Sequence, residues 1–255
     1  MTGRAPRTPA VSPPVLDIER ASALCLRPAP GELAGFFGTG AHRLALRALA
    51  RPLLAGEPVV AVDGGNRFDP YEIGKAERAL GGSGRVALSR ILVSRAFTCH
   101  QMEALLSRRL GPALERSGAG IAVVFGLPET FADADVPYAE ACRVFRNCLS
   151  SLRRLAAVGT RVVLVGSDPP FPAAFPFAAV PAASGNKPPG KGTVPEGGDR
   201  AGFFRHLVRI ADPCLLLRRE GEGVTWRYRG HSCNERLEPR RCPRWECPRS
   251  QEMSP

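Results

Sequence analysis

Lysine is almost missing from this chain. Of its 35 basic residues only Lys75, Lys187 and Lys191 are lysines, so a formal net charge of +11 is carried by arginine. The guanidinium fork binds phosphate in bidentate fashion and keeps its charge at any physiological pH. The bias suits a polyanionic partner, although a GC-rich gene produces the same excess. Long hydrophobic runs are missing as well. No stretch approaches 18 uninterrupted apolar residues, so neither a membrane-spanning helix nor a membrane partner is expected. The first 30 residues hold Arg4 and Arg7 but no apolar core of signal-peptide length, so secretion is not expected either. A dense disulfide framework is the third absence. The eight cysteines, Cys25, Cys99, Cys142, Cys148, Cys214, Cys233, Cys242 and Cys247, are too widely spaced for one. They read as reduced, buried thiols of a cytoplasmic protein. Apolar residues, by contrast, make up 44% of the 255, enough for a sizeable core, while 27 Gly and 25 Pro mark irregular stretches.

Residues 1–30 are rich in Pro, Arg and Ala and read as a flexible arm, with a short helix around Leu16–Leu24. Regular structure is expected from Glu32, with a short strand at Leu33–Gly35 and a helix from His42 to Leu54 that the Gly56-Glu57-Pro58 break ends. Val59-Val60-Ala61-Val62, Ile121-Ala122-Val123-Val124 and Arg161-Val162-Val163-Leu164-Val165 are short β-branched runs without polar alternation. Strands of that kind are buried on both faces, as in a parallel sheet. Helical stretches at Tyr71–Leu80, His100–Leu110 and Ala139–Ala157 alternate with them, as does a strand at Arg90–Val93. The alternation predicts an α/β fold with a mostly parallel sheet. Asp168–Gly198, crowded with Pro and Gly, reads as a long loop. Beyond it, Cys214–Arg218, a Glu220-Gly221-Glu222-Gly223 turn and Val224–Tyr228 read as a β-hairpin. The stretch 232–255 reads as a basic, disordered tail.

Gly35-Phe36-Phe37-Gly38-Thr39-Gly40-Ala41-His42 has the Gly-x-x-x-x-Gly spacing of a phosphate-binding loop before a helix. Such loops curl backbone N–H groups around an anion at a helix N-terminus, with Lys and Ser/Thr next in line. Here Ala41 and His42 stand in those two places, and by spacing alone a glycine-rich turn explains the stretch equally. The surrounding sequence, however, resembles the RecA/RadA recombinase family in five collinear segments across residues 31–231. GELAGFFGTGAHRL from Gly31 is similar to the family's phosphate loop, and VVAVDGGNRFDPYEI (Val59–Ile73) to its second strand and turn. ILVSRAFTCHQMEALL (Ile91–Leu106) and LSSLRRLAAVGTRVVLVGSDP (Leu149–Pro169) follow in order, and the C-terminal hairpin closes the match. The resemblance implies a RecA-like three-layer fold with a mostly parallel central sheet and a C-terminal β-hairpin. It covers 31–231 as one core domain.

The departures carry the functional expectation. Beside the missing lysine and hydroxyl, Gly65 stands where the resembled ATPases carry the water-activating glutamate. Phe125-Gly126 stands where a metal-holding aspartate ends the strand, and Gly166-Ser167 where the nucleotide sensor is found. Phosphoryl transfer consists largely of positioning and charge neutralisation, so hydrolysis near the uncatalysed level is expected. Asp63, Asp133 and Asp135 are substitute carboxylates to weigh, and Arg43, Arg67 and Arg95 substitute cations. In the resembled family the loop after the third apolar run contacts DNA. Lys187, Lys191, Arg200 and Arg205 occupy that place here, with Phe171, Phe175 and Phe177 as stacking residues.

His231, Cys233, Cys242 and Cys247 are a loose zinc-ligand set, and Cys99-His100 reads as packing or helix start, so no metal is expected. The expectation is a non-catalytic RecA-like paralogue with no required cofactor, ATP binding being left open. It would serve as an accessory factor in DNA recombination or repair that binds single-stranded DNA, a RecA-like recombinase, or its own kind. A divergent RecA/KaiC-like ATPase and a protein-interaction regulator without DNA binding are the alternatives.

Overall fold

The computed structural model describes residues 17–133, 135–167 and 199–230, together with the backbone of 240–241. The described part is a RecA-like three-layer α/β fold. Its central sheet has the order β3-β2-β4-β5-β1-β6-β7-β8. The strands are β1 (Leu33–Gly38), β2 (Val59–Asp63), β3 (Ile91–Arg95), β4 (Ile121–Phe125), β5 (Arg161–Gly166), β6 (Cys214–Glu220), β7 (Gly223–Arg229) and the two-residue β8 (Arg240–Arg241). From β3 to β6 every pairing is parallel, and β7 returns antiparallel to β6 as the expected hairpin.

The three β-branched runs are β2, β4 and β5, and nearly every residue in them is buried. Alternate side chains enter two separate cores. Val60, Val62, Ala122 and Val124 face one layer, while Val59, Ala61, Ile121 and Val123 face the other. The second layer is formed by α1 (Ile18–Cys25), α2 (Ala41–Ala48), α3 (Ala50–Leu54) and α4 (Pro70–Ala79). The first is formed by α5 (Cys99–Ala104), α6 (Leu110–Ser117), α7 (Tyr138–Ala157) and α8 (Ala201–Ile210).

Three stretches depart from the sequence expectation. The short helix expected around Leu16–Leu24 is present as α1, but it is packed on the body rather than carried in a flexible arm. Asp17 caps α1 by accepting the Arg20 N–H at 2.7 Å, and Ile18, Ala21, Cys25 and Leu26 are buried against the core. Their i, i+3, i+7, i+8 spacing is that of one helix face. The helix expected to stop at Leu110 runs on to Ser117, through a π-helical turn at Leu105–Arg109. That turn resets the hydrogen-bond register, so Pro112 falls in the first turn of α6, where its missing N–H costs nothing. Finally, β1 does not stop at Gly35 but continues to Gly38.

Candidate functional site

In open parallel sheets ligands bind beyond the C-terminal ends of the strands, where neighbouring strands feed helices on opposite faces. Here β1 leads into α2 on one face, while its neighbour β5, and β4 beyond it, serve the other layer. The expected phosphate loop, the Asp63-Gly64-Gly65 turn, Gly126 and Gly166-Ser167 all converge on this edge.

The structure distributes Gly35, Gly38, Thr39, Gly40, Ala41 and His42 between a strand, a two-residue turn and a helix start. Gly35 through Gly38 lie in β1, paired with β5 on one side and β6 on the other. Phe36 and Phe37 are fully buried on opposite faces. Gly38, at φ +101°, lies against β6 so closely that a Cβ would overlap the Leu217 carbonyl. Thr39 and Gly40 alone form the turn, with the Thr39 N–H donating to the same Leu217 oxygen at 3.3 Å. Gly40, left-handed at φ +77°, is the N-cap of α2, and Ala41 is sealed from solvent. The expected six-residue cradle is thus reduced to a two-residue junction. The cause is long-range: β1 is flanked by strands on both sides, and two phenylalanines gain more from the two cores than from a solvated loop.

The ends of β2 and β4 meet as backbone on backbone. A Cβ on Gly126, itself at φ +67°, would stand 2.7 Å from the Gly65 Cα and closer still to its nitrogen. A Cβ on Gly64 would stand 2.7 Å from a Thr130 methyl. This seam lies where the resembled ATPases carry two carboxylates. Asp63 is fully buried, but its oxygens accept the backbone N–H groups of Arg67 (2.9 Å) and Phe68 (3.2 Å), with the Arg95 guanidinium 3.7 Å away. It closes its own turn. Asp133 accepts the Asp135 N–H at 2.9 Å in an exposed bend away from the edge.

One polar group on this edge escaped the sequence reading. Glu129, four residues beyond β4, accepts the Ser167 N–H at 2.8 Å, and its second oxygen is buried without a hydrogen bond among the described residues. Burial pushes its carboxyl above the ordinary glutamate range, against the pull of the Ser167 bond and the Arg67 charge. His42 has the complementary condition. Burial, then the Arg67 and Arg43 charges, lower its imidazole below the usual value, and its Nδ1 is buried without a partner among the described residues. Arg67 therefore acts electrostatically on both groups. The edge holds an imidazole biased toward its neutral form, a carboxyl that resists ionisation, and the guanidiniums of Arg67, Arg43 and Arg95. The only signal for Glu129 was an acidic residue just past a buried strand.

Of the residues expected at DNA, Lys187 and Lys191 lie outside the described residues. Arg200 donates to the Phe131 carbonyl at 2.9 Å and to that of Val136, which ties α8 to the segment after β4. Arg205 is paired with Asp199. Both guanidiniums are engaged within the fold. Cys99 is buried, and burial raises its thiol above the ordinary range, while His100 faces Glu140 at 3.5 Å. That pair is not an activated nucleophile. His231, Cys233, Cys242 and Cys247 lie outside the described residues. Among those described, no three His, Cys, Asp or Glu side chains are grouped to hold a metal ion. No described helix is long and apolar enough to cross a membrane. Compared with models of known protein families the chain matches none, and a search of curated proteins likewise gives no match.

Proposed function

We propose that this chain is a non-catalytic member of the RecA/RadA-like group. It serves as a cytoplasmic accessory factor in DNA recombination or repair that binds single-stranded DNA and/or a recombinase partner and does not turn over ATP. The observation that carries this reading is the passage of β1 through Gly38. A triphosphate is held by free backbone N–H groups in a loop before a helix. At this position the backbone is instead paired with β5 and β6 up to Phe37 and with β6 at Gly38, and the turn left over has two residues. The residues present do not fit magnesium-ATP. Ala41 offers no charge and the Asp63 oxygens are taken by backbone donors. Glycines fill the seam where two carboxylates would be needed. The five described cysteines are free thiols, which suits a reducing compartment.

The polyanion part of the reading is supported by the arginine-borne net charge of +11. The engagement of Arg200 and Arg205 within the fold takes both guanidiniums away from DNA at that place, so the DNA part rests on the net charge. Isothermal titration with Mg-ATP and a phosphate-release assay test the first part. No steady release is expected, and micromolar affinity together with steady phosphate release overturns it. Fluorescence anisotropy on labelled single-stranded DNA across a salt series tests the second. Binding that falls steeply with salt is expected, and undetectable or salt-independent binding removes DNA from the reading.

A further inference from the structure

On the face of the molecule formed by α1, α2 and α4 runs a groove of about 380 Å³, open to solvent. Its floor is small and apolar, with Leu44 and Ala48 from α2, Ala76 and Ala79 from α4 and Ala23 from α1. Arg43, Arg47, Arg51 and Lys75 also line it. Arg47 and Lys75 share Glu72 beneath them, at 2.9 Å and 3.6 Å, and Arg51 meets Glu19 at 3.6 Å. Arg43 is exposed and makes no ion pair among the described residues. Two carboxylates against four cations leave the rim positive.

We propose that this groove docks an amphipathic helical segment of a partner protein carrying a row of carboxylates along one flank. Residues four apart project from the same face of a helix, so Arg43 and Arg47 stand one turn apart on α2, and Arg51 follows on α3. Such a row matches acidic side chains repeated every turn of a partner helix, whereas a compact anion would need its cations converged on one point. The alanines of the floor let a helix backbone approach closely, and Leu44 and Leu80 offer contacts for apolar anchors spaced i, i+3, i+4 and i+7. Charge also selects against the nearest part of the chain itself. Residues 1–16, just before α1, contain Arg4 and Arg7 and no acidic residue. One end of the groove reaches the strand–helix junction at Thr39 and Gly40, so the two readings are separated by the probe: nucleotide and phosphate release report on the junction, and an acidic helical peptide reports on the groove.

The test uses the full chain and two fluorescein-labelled 18-residue helical peptides. Both have a Leu/Ala face, one with Glu at every fourth position on the flank and one with Lys there. The Glu peptide is expected to bind at least tenfold more tightly than the Lys peptide. In the variant Arg43→Glu/Arg51→Glu, whose melting transition should be unchanged, the preference is expected to reverse. No binding, binding without charge preference, or a preference that survives the double substitution overturns the proposal. So does displacement of the Glu peptide by a synthetic peptide of residues 1–16, which would make the chain's own segment the occupant. Displacement by inorganic tripolyphosphate would make it a small-anion site. Self-association abolished by the double substitution would assign the groove to a second copy.

Discussion

The glycine seam between the ends of β2 and β4 offers the sharpest test of how this edge is built. Consider Gly126→Ala. The added methyl must sit on a residue at φ +67° and press on the Gly64–Gly65 backbone. Left-handed backbone for an L-residue costs about 1–2 kcal/mol. Displacing packed backbone costs about 1–3 kcal/mol more. Reduced freedom of the unfolded chain returns roughly 0.4–1 kcal/mol. The net loss is about 2–4 kcal/mol. For a domain of this size each kcal/mol moves Tm by about 2–4 °C, so a fall of roughly 4–16 °C is expected. The control is Gly118→Ala, also left-handed at φ +63° but with nothing within 4 Å of the new methyl. It isolates the conformational cost and should lose only about 1 kcal/mol. Urea unfolding followed by circular dichroism measures both, with m unchanged. If the two variants differ by less than about 0.5 kcal/mol, within the usual scatter of surface substitutions, the seam is not tightly packed and the reasoning fails.

Four further outcomes follow from the same edge and its surroundings. Ala41→Lys with His42→Thr, which restores the family's two residues, should yield no steady phosphate release and should destabilise the chain by about 2 kcal/mol or more, because Ala41 is sealed in the core; measurable turnover would contradict the two-residue junction. His42 and His206 both have imidazoles lowered chiefly by burial, so the unfolded chain takes up protons first. Stability should therefore be full above the ordinary value of 6.5 and fall as pH drops through and below it, and His42→Asn should flatten part of that slope in urea melts at pH 7.5 and 5.5. Glu129 is raised, so its contribution runs the other way: present below the ordinary value of 4.5 and lost as pH rises through its folded value. Glu129→Gln should consequently be least harmful at neutral pH, and equal effects at pH 7 and pH 4 would refute this. Arg200→Ala should cost about 1–3 kcal/mol through two abandoned carbonyls, with no change in the salt slope of any DNA binding.

The strands that lie deepest were the most legible. Val59–Val62, Ile121–Val124 and Arg161–Val165 fall within one residue of β2, β4 and β5, because a strand covered on both faces needs apolar side chains on both. The hairpin announced itself through Glu220-Gly221-Glu222-Gly223. What the glycine spacing concealed was β1. Its continuation depends on β5 and β6, contributed from positions more than 120 residues away in the register pairs Phe36↔Val165 and Phe36↔Leu215. Local spacing cannot report such partners. Glu129 stayed hidden for a related reason, since its burial is created by the way Leu127–Thr130 folds over the sheet edge. The π-helical turn at Leu105–Arg109 was invisible because Gly111-Pro112 reads locally as a stop. The continuation of α1 into the packed body could be read from Ile18, Ala21 and Cys25 once their spacing was weighed above the prolines before them.

The brevity of the link between β1 and α2 has a bearing on how this molecule is controlled. Switching proteins use a pliant segment that takes one shape around a bound phosphate and another after its loss. Two residues pinned by a neighbouring strand have no second shape to adopt. A partner bound as proposed above would accordingly be held or released by how much of each component is present, with no internal timer to end the association.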